Sequence, residues 1–322
     1  MIKLFRVAEG RLEQVVCADA QQARGATWID LVEPTAEERR EIEDLIGVEL
    51  PSHQDMLEIE ASSRLFVADQ AVFLTTPVLA QAETATPVVG PLTFVLTETA
   101  LITIRYIHPR SIDLFVTRAE RRPEACATAL DAFVGLVDTL VDRSADVLEA
   151  VAVRIDALSR DVFVNGAGDR RAQPDLQQIV QAVGRAGDLI SKSRDSLAGF
   201  ARIIPFLSVS HINLNHEQKA LLKIATRDIH SLTDHAEFQT QRATFLLNAS
   251  LGLIDHAQND IVKSLTVAAT AFLPPTLIAS IYGMNFALMP ELSWRLGYPL
   301  ALVLMVLSAV VPLWYFRRRG WL

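Results

Sequence analysis

The pattern of apolar and polar residues predicts an α/β region in the first 110 residues or so. Short apolar runs alternate there with polar segments, which predicts one sheet covered by helices on at least one face. Thr35, followed by Glu37 and Glu38, is typical of a helix start and predicts a helix over Thr35–Ile46. The predicted strands are Met1–Val7, Thr27–Leu31, Leu65–Val67, Ala71–Thr76, Leu92–Leu96 and Ala100–Ile107.

From about Pro123 the pattern changes to apolar residues spaced by three and four, which predicts long helices. Gly166–Gly168 breaks the first helix, Pro174 opens a second, and Pro205 is expected to end it. A third helix is predicted to begin after Asn215 and to continue to Tyr282, about 100 Å at 1.5 Å per residue. So long a helix needs neighbours from its own chain or from other copies.

Two C-terminal segments are long and uncharged enough to cross a membrane. No charged residue lies between Lys263 and Glu291, or between Arg295 and Arg317. Each stretch exceeds the roughly 20 residues that a hydrocarbon core requires. We predict spans at about 262–284 and 296–316, with an outer loop at 287–295. Basic residues precede the first span and follow the second, which predicts that both chain ends are cytoplasmic.

The sign of the net charge changes near the start of the first predicted span. Residues 260–322 carry five basic and two acidic residues, so the net charge of −8 leaves −11 on residues 1–259. An acidic body argues against nucleic acid as a partner and is compatible with cation binding. Cys17 and Cys126 stand far apart, as expected of a reduced cytoplasmic setting. We therefore predict a cytoplasmic α/β domain (1–120), a cytoplasmic long-helix stalk (121–259) and a transmembrane domain (260–322).

Two spans cannot enclose a pore, but they can supply one sector of a ring. A stripe of the first span is apolar at the cytoplasmic end and carries hydroxyls toward the outside, as expected of a gated pore. Alternatively, Thr276 and Ser280 bond their own helix backbone. Pro274 and Pro275 are compatible with a pore bend, a hinge or a packing feature. The predicted pore-lining residues are Asn259, Val262, Leu265, Ala269, Leu273, Thr276 and Ser280.

The first span closes on Tyr282-Gly283-Met284-Asn285-Phe286, which resembles the signature of the CorA family of magnesium and cobalt transporters, in its proteobacterial branch. The resemblance extends over nearly the whole chain. It includes Phe272–Leu277 before the motif, Met289–Leu292 after it, and Trp28–Pro34 and Ile59–Arg64 far upstream.

This resemblance implies a homopentamer with a cytoplasmic funnel in the bacterial inner membrane. It also implies Mg²⁺ influx, with Co²⁺ and Ni²⁺ as lesser substrates. Gly283, Met284 and Asn285 would form the selectivity filter. Gly283 is suited to end the helix in a left-handed conformation. A ring of Asn285 carboxamides would hydrogen-bond a hydrated Mg²⁺, which releases its water reluctantly, although Asn285 alone is also compatible with a helix cap. Met284 is expected to pack, since a thioether is a poor ligand for a hard ion.

Charged residues around the spans have two interpretations each. Glu291 would attract cations at the mouth or is an ordinary loop charge, and Ala287 replaces an acid that relatives often carry after the motif. A basic neck of Lys263, Arg317, Arg318 and Arg319 would either set topology or take part in gating. The family resemblance implies gating by Mg²⁺ bound between cytoplasmic domains. The candidate acids on the long helix are Asp228, Asp234, Glu237 and Asp255.

Other functions remain open at this stage. A zinc transporter of the ZntB type shares the architecture but usually has isoleucine in the middle of the motif, and a cation exporter would have the same sequence features. A membrane-tethered coiled-coil sensor would not need Asn285 or the hydroxyl stripe. The sequence has no HExxH, Walker loop or GxGxxG, so we predict no enzyme and no cofactor, with Mg²⁺ as substrate and regulatory ligand. The expected partners are further copies of the chain and the lipid bilayer.

Overall fold

The computed structural model describes residues 1–17, 23–163, 175–210, 212–284, 289 and 294–321. Contacts divide the chain into two compact units, Met1–Leu247 and Asn248–Leu322. The predicted domain boundaries at residues 120 and 259 stay predictions.

The first unit contains a seven-stranded sheet in the order β2-β1-β3-β7-β6-β5-β4. Among the described strands, β3 and β7 pair in parallel and all other neighbours are antiparallel. The strands are β1 (Ile2–Ala8), β2 (Arg11–Cys17), β3 (Trp28–Val32), β4 (Leu65–Ala68), β5 (Ala71–Ala80), β6 (Val88–Leu96) and β7 (Leu101–Arg105).

Eight α-helices accompany the sheet within the described residues. The first four are α1 (Ala36–Ile46), α2 (His53–Met56), α3 (Ala61–Arg64) and α4 (Arg110–Arg121). The last four are α5 (Ala129–Phe163), α6 (Leu176–Val209), α7 (His216–Tyr282) and α8 (Gly297–Arg318).

Most predicted elements are confirmed, and the exceptions have local causes. Thr35 caps α1, with its side chain bonded to the Glu38 amide. Strand β2 was not predicted, because it is an edge strand whose mostly exposed residues show no buried apolar face. The prediction that Pro205 ends the second helix is wrong, since α6 continues to Val209. Pro205 lacks the amide that would bond the Ala201 carbonyl, and the helix nevertheless continues for four residues beyond it. Gly166–Gly168 and Pro174 lie outside the described residues.

Both faces of the sheet are covered, which exceeds the predicted minimum of one face. On one face, Trp28 stacks on Phe5 at 4.1 Å between ring centroids and meets Phe115 of α4 edge-on at 5.5 Å. The same core includes buried residues of α5, α6 and α7. On the other face, Ile29 and Ile102 belong to a smaller core with Ile42 of α1. Burial of both sheet faces explains the nearly solid apolar runs of β3 and β7.

A buried ion pair joins the two parallel strands at the centre of the sheet. Arg105 lies 2.8 Å from Asp30, and their side chains are 3% and 0% exposed. Thr103 donates a hydrogen bond to the same carboxylate at 2.8 Å, and the Trp28 indole donates to Thr103 at 2.9 Å. A buried pair needs such additional partners, because each charge has lost its hydration.

Polar contacts join the first part of α7 to the helices beside it. Gln218 donates a hydrogen bond to Asp131 of α5 at 2.8 Å, and Arg242 pairs with Asp156 of the same helix. Arg194 of α6 lies 3.0 Å from Glu237. These contacts position α7 within the first unit.

We predict that Gly199→Ala destabilises the protein. A Cβ at Gly199 of α6 would collide with Thr76 and with Pro77 Cδ at 2.8 Å, where helix and β5 meet. Overpacking of this kind costs about 1–3 kcal/mol, and each kcal/mol lowers the thermal midpoint by roughly 2–4 °C in a domain of this size. Thermal unfolding of the detergent-purified chain, followed by tryptophan fluorescence, measures the shift.

Gly184→Ala is the matched control on the same helix. A Cβ at Gly184 meets nothing within 4 Å, so alanine there should be neutral or stabilising. Equal midpoints for the two variants would contradict the proposed close packing at Gly199.

Candidate ion-conducting site

Helix α7 carries the predicted pore stripe in the second unit. Its seven predicted pore residues, from Asn259 to Ser280, are exposed in the single chain. Phe272 and Leu277, which flank the stripe on the helix surface, are exposed to a similar extent. Most of this apolar helix surface is therefore left uncovered by its own chain, as expected of a segment that other copies and lipid surround.

By length and composition, α7 and α8 are the two described helices able to cross a membrane. Both expose most of their apolar side chains, unlike the core helix of a soluble protein. Trp314 and Tyr315 lie near the C-terminal end of α8, where Arg318 and Arg319 place their guanidinium groups 4.5 Å and 5.5 Å from the respective rings. This combination of aromatic and basic residues is typical of a membrane interface.

Threonine hydroxyls of α7 are engaged with their own helix. Thr276 donates to the Phe272 carbonyl at 2.6 Å, and Thr266 and Thr270 make equivalent bonds at 2.8 Å. The alternative given for Thr276 in the sequence analysis therefore holds in this structure. Each hydroxyl oxygen keeps lone pairs that can accept a further hydrogen bond, so this geometry is compatible with a pore that water fills.

The helix ends where the motif predicts, but by a different mechanism. Residue Tyr282 is the last of α7, and the Gly283 amide donates to the Ala279 carbonyl at 2.9 Å. Gly283 does not have a positive φ, so the prediction that it adopts a left-handed conformation is wrong. Because its amide continues the helical bonding pattern, Gly283 keeps a helix-like position, and a Cβ there would lie 3.2 Å from the Ala279 carbonyl oxygen.

Of the remaining candidates in the filter and the outer loop, the structure describes Met284 and not the others. Met284 follows the helix end and is 46% exposed. Asn285, Ala287 and Glu291 lie outside the described residues, so their roles stay predictions.

The first residue of the predicted basic neck is paired locally. Lys263 lies 3.0 Å from Asp260, one turn earlier on α7, and His256 lies 3.3 Å from the same carboxylate. Arg317 is exposed, as are Arg318 and Arg319 beside their aromatic partners. The basic groups of α8 therefore remain available to phosphate headgroups or to other copies.

The candidate regulatory acids differ in their surroundings. Glu237 pairs with Arg194, whereas Asp234 and Asp255 are exposed on α7. Asp228 lies close enough to Asp142 of α5 to affect its ionisation. Reduced hydration raises the pKa of the Asp142 carboxyl, and the negative charges of nearby aspartates raise it further, against the lowering effect of Arg118. These acidic neighbours are Asp138, Asp146 and Asp228.

Sequence reasoning missed Asp142. Its signal was the four-residue spacing of Asp138, Asp142 and Asp146, which places three acids on one face of α5. The sequence alone could not reveal that Asp228 of α7 approaches this face. Among the described residues of this one chain, no three acidic, histidine or cysteine side chains form a metal site.

Comparisons with known proteins agree with the motif and with the fold. The family described as "CorA-like Mg2+ transporter protein" matches residues 23–318. The magnesium transport protein CorA of Pasteurella multocida is 33% identical over 322 residues, and that of Escherichia coli K12 is 31% identical, each covering 100% of both chains. The complete structure of the CorA magnesium transporter from Methanocaldococcus jannaschii matches with a TM-score of 0.73 at 17% identity, over 100% of this chain and 99% of that one. The chain belongs to the CorA-like Mg²⁺ transporter family.

Proposed function

We propose that this chain is one subunit of a channel that admits Mg²⁺ through the bacterial inner membrane, down its electrochemical gradient. The observation that carries the proposal is helix α7, which stays uncharged from Ser264 to Tyr282 and is followed directly in the sequence by the Gly-Met-Asn motif. Co²⁺ and Ni²⁺ are proposed as lesser substrates, and no chemical conversion accompanies transport.

An exposed apolar stripe on the first part of α7 supports assembly of several copies. The buried residues of this helix repeat at heptad spacing, as in Leu222, Ile229, Ala236 and Ala243. A second stripe also follows this spacing but is exposed, and it includes Phe238 at 56% and Phe245 at 66% exposure. Ile224 lies on the same spacing, and the exposed Leu221 lies about one turn before it. Such a stripe needs a partner in water, and we propose that neighbouring copies in a pentamer cover it.

We propose that Asn285 selects the ion at the outer mouth. In a ring of five copies, its neutral carboxamides would accept hydrogen bonds from the water shell of Mg²⁺. A ring of carboxylates would bind the cation more tightly and slow its release. Glu291, in the outer loop, would raise the local cation concentration without direct contact.

We propose that cytoplasmic Mg²⁺ closes the channel through acids that repel one another when unoccupied. Asp228 is the best supported candidate, because its charge contributes to the raised pKa of Asp142. Glu237 is the weakest candidate, since Arg194 already neutralises it within the chain. Asp234 and Asp255 stay candidates through their exposure, and the basic neck is proposed to assist closure.

We expect Asn285→Ala to abolish most Mg²⁺ transport. Loss of the carboxamide in every copy removes several hydrogen bonds to the hydrated ion, so uptake should fall by about tenfold or more. Purified protein in liposomes, with an inward Mg²⁺ gradient and a fluorescent Mg²⁺ indicator inside, measures this rate.

Asn213→Ala is the matched control, because Asn213 is exposed in the first unit, away from the motif. It should transport like wild type. Absence of divalent flux in wild-type vesicles at low internal Mg²⁺ would refute the channel proposal. Proton-coupled Zn²⁺ uptake in the same vesicles would favour the zinc transporter instead.

We expect Asp228→Lys and Asp255→Lys to shift the internal Mg²⁺ concentration that closes the channel. Reversal of an acid's charge weakens Mg²⁺ binding and changes the repulsion that binding relieves. Vesicles loaded with graded Mg²⁺ concentrations give the closing point of each variant. Glu41→Lys, an exposed position on α1, controls for net charge. If both variants close at the wild-type concentration, neither aspartate is a sensor.

We expect Asp142→Asn to raise the thermal midpoint at pH 7. The folded protein raises the pKa of this carboxyl above its ordinary value of 3.8, so the ionised form opposes folding at neutral pH. This penalty disappears as the pH falls from the raised pKa through the ordinary value, where wild type and variant should converge. Added Mg²⁺ should stabilise wild type more than the variant. Asp44→Asn on α1 is the control, and a parallel rise there would show that the effect is not local.

A further inference from the structure

Helices α5 and α6, together with the loop after β5, enclose a groove that differs in charge from the rest of the first unit. We define the α5–α6 groove by its loop residue Glu83, by Arg143, Ala150 and Arg154 of α5, and by Arg185 of α6. Its volume is about 260 Å³. Every residue that lines the groove belongs to the first unit and to the described part of the chain.

The acids of the groove are already neutralised. Glu83 pairs with Arg110 at 3.2 Å and with Arg143. Partial burial raises the pKa of Glu83, but a hydrogen bond from its own backbone amide and the two guanidinium groups outweigh this and keep that pKa below its ordinary value. Asp146 lies 3.2 Å from Arg143, and Asp188 lies 2.7 Å from Lys192. No carboxylate of the groove is therefore left to neutralise a further cation.

Two arginines remain without an ionic partner. Arg154 and Arg185 line the groove from opposite helices, are exposed, and form no ion pair or side-chain hydrogen bond with any described residue. The groove itself is lined by Arg143, Arg154 and Arg185 and by three acids, and Arg110 and Lys192 add two basic groups at its edge as the ion-pair partners of Glu83 and Asp188. This local surplus of two positive charges contrasts with the net −11 of residues 1–259.

The floor of the groove is apolar. Val147 and Val151 of α5 are buried beneath it, and Leu189 of α6 is half-buried beside them. The side chain of Ala150 is small, so it leaves space between the two helices. An apolar floor with charged groups at its rim is typical of sites for small molecules that carry an anionic group on an apolar body.

We propose that the α5–α6 groove binds a small organic phosphate, with its phosphate held by Arg154 and Arg185 and its apolar part against Val147 and Val151. The volume lies just below the range of about 300–1,000 Å³ that holds drug-sized ligands, which limits the ligand to a small phosphomonoester. Two guanidinium forks match the two charges and the several acceptor oxygens of such a group. This site is independent of the proposed ion pore.

Isothermal titration of the full-length, detergent-purified protein with phenyl phosphate, in buffer free of Mg²⁺, tests the proposal. Phenyl phosphate should bind saturably. Arg154→Ala and Arg185→Ala should each weaken binding by about tenfold or more, since each removes charge-assisted hydrogen bonds. Arg160→Ala, an exposed arginine of α5 outside the groove, should bind like wild type. Absence of binding, or equal weakening by all three variants, overturns the proposal.

Two further arms separate the phosphate from the apolar body. Inorganic phosphate should bind more weakly than phenyl phosphate, and phenol should not bind, because the site requires both features. Ala150→Trp should block phenyl phosphate by filling the groove while leaving both arginines in place. Equal affinity for inorganic phosphate, or unchanged binding to the Ala150→Trp variant, overturns the organic part of the proposal. Mg²⁺ flux plays no part in these measurements, so failure here is distinct from failure of the channel proposal.

Discussion

Helix α7 depends on the need of a backbone in an apolar medium to satisfy its hydrogen bonds internally. After Lys263, its side chains offer no charge and few polar groups, so a continuous helix is the conformation that leaves no peptide group unpaired. Thr266, Thr270 and Thr276 turn their hydroxyls back to the helix, and Pro274–Pro275 is accommodated without ending it. The motif that follows Tyr282 therefore stands at the end of a helix whose length is fixed by its composition.

The same helix meets a different requirement in the first unit, where water surrounds it. One heptad seam is buried, while Gln218, Glu237 and Arg242 form polar contacts with α5 and α6 beside it. The stripe with Phe238 and Phe245, on the other side of the helix from this seam, stays exposed. Its own chain therefore covers only one side of this part of α7. The uncovered apolar side is the physical basis for proposing that further copies pack against it.

Charged side chains are distributed unevenly in the first unit. We propose functions for two places where groups of one sign outnumber their ion-pair partners. Most ion pairs join acids to arginines on adjacent elements, as between Asp30 and Arg105 in the core. Around Asp142 the acids outnumber their partners, and at the α5–α6 groove the arginines do. An unpaired surplus costs stability unless a ligand of opposite charge relieves it. Mg²⁺ would do so in the first place, and an organic phosphate in the second.

By itself, the sequence determined the element types, the two apolar spans, the family motif and the end of α7, because periodicity, charge and turn chemistry are local properties. Strand β2 could not be predicted from the sequence, since an exposed edge strand lacks the buried face whose apolar residues would indicate it. The conformation of Gly283 was also missed, because whether a helix-end amide continues the helical bonding pattern depends on the backbone beyond it. Only the tertiary structure decided that Asp228 approaches Asp142, that Glu237 is neutralised, and that Arg154 and Arg185 share a groove. These pairings join residues far apart in sequence, and packing alone sets the distances on which electrostatic energy depends.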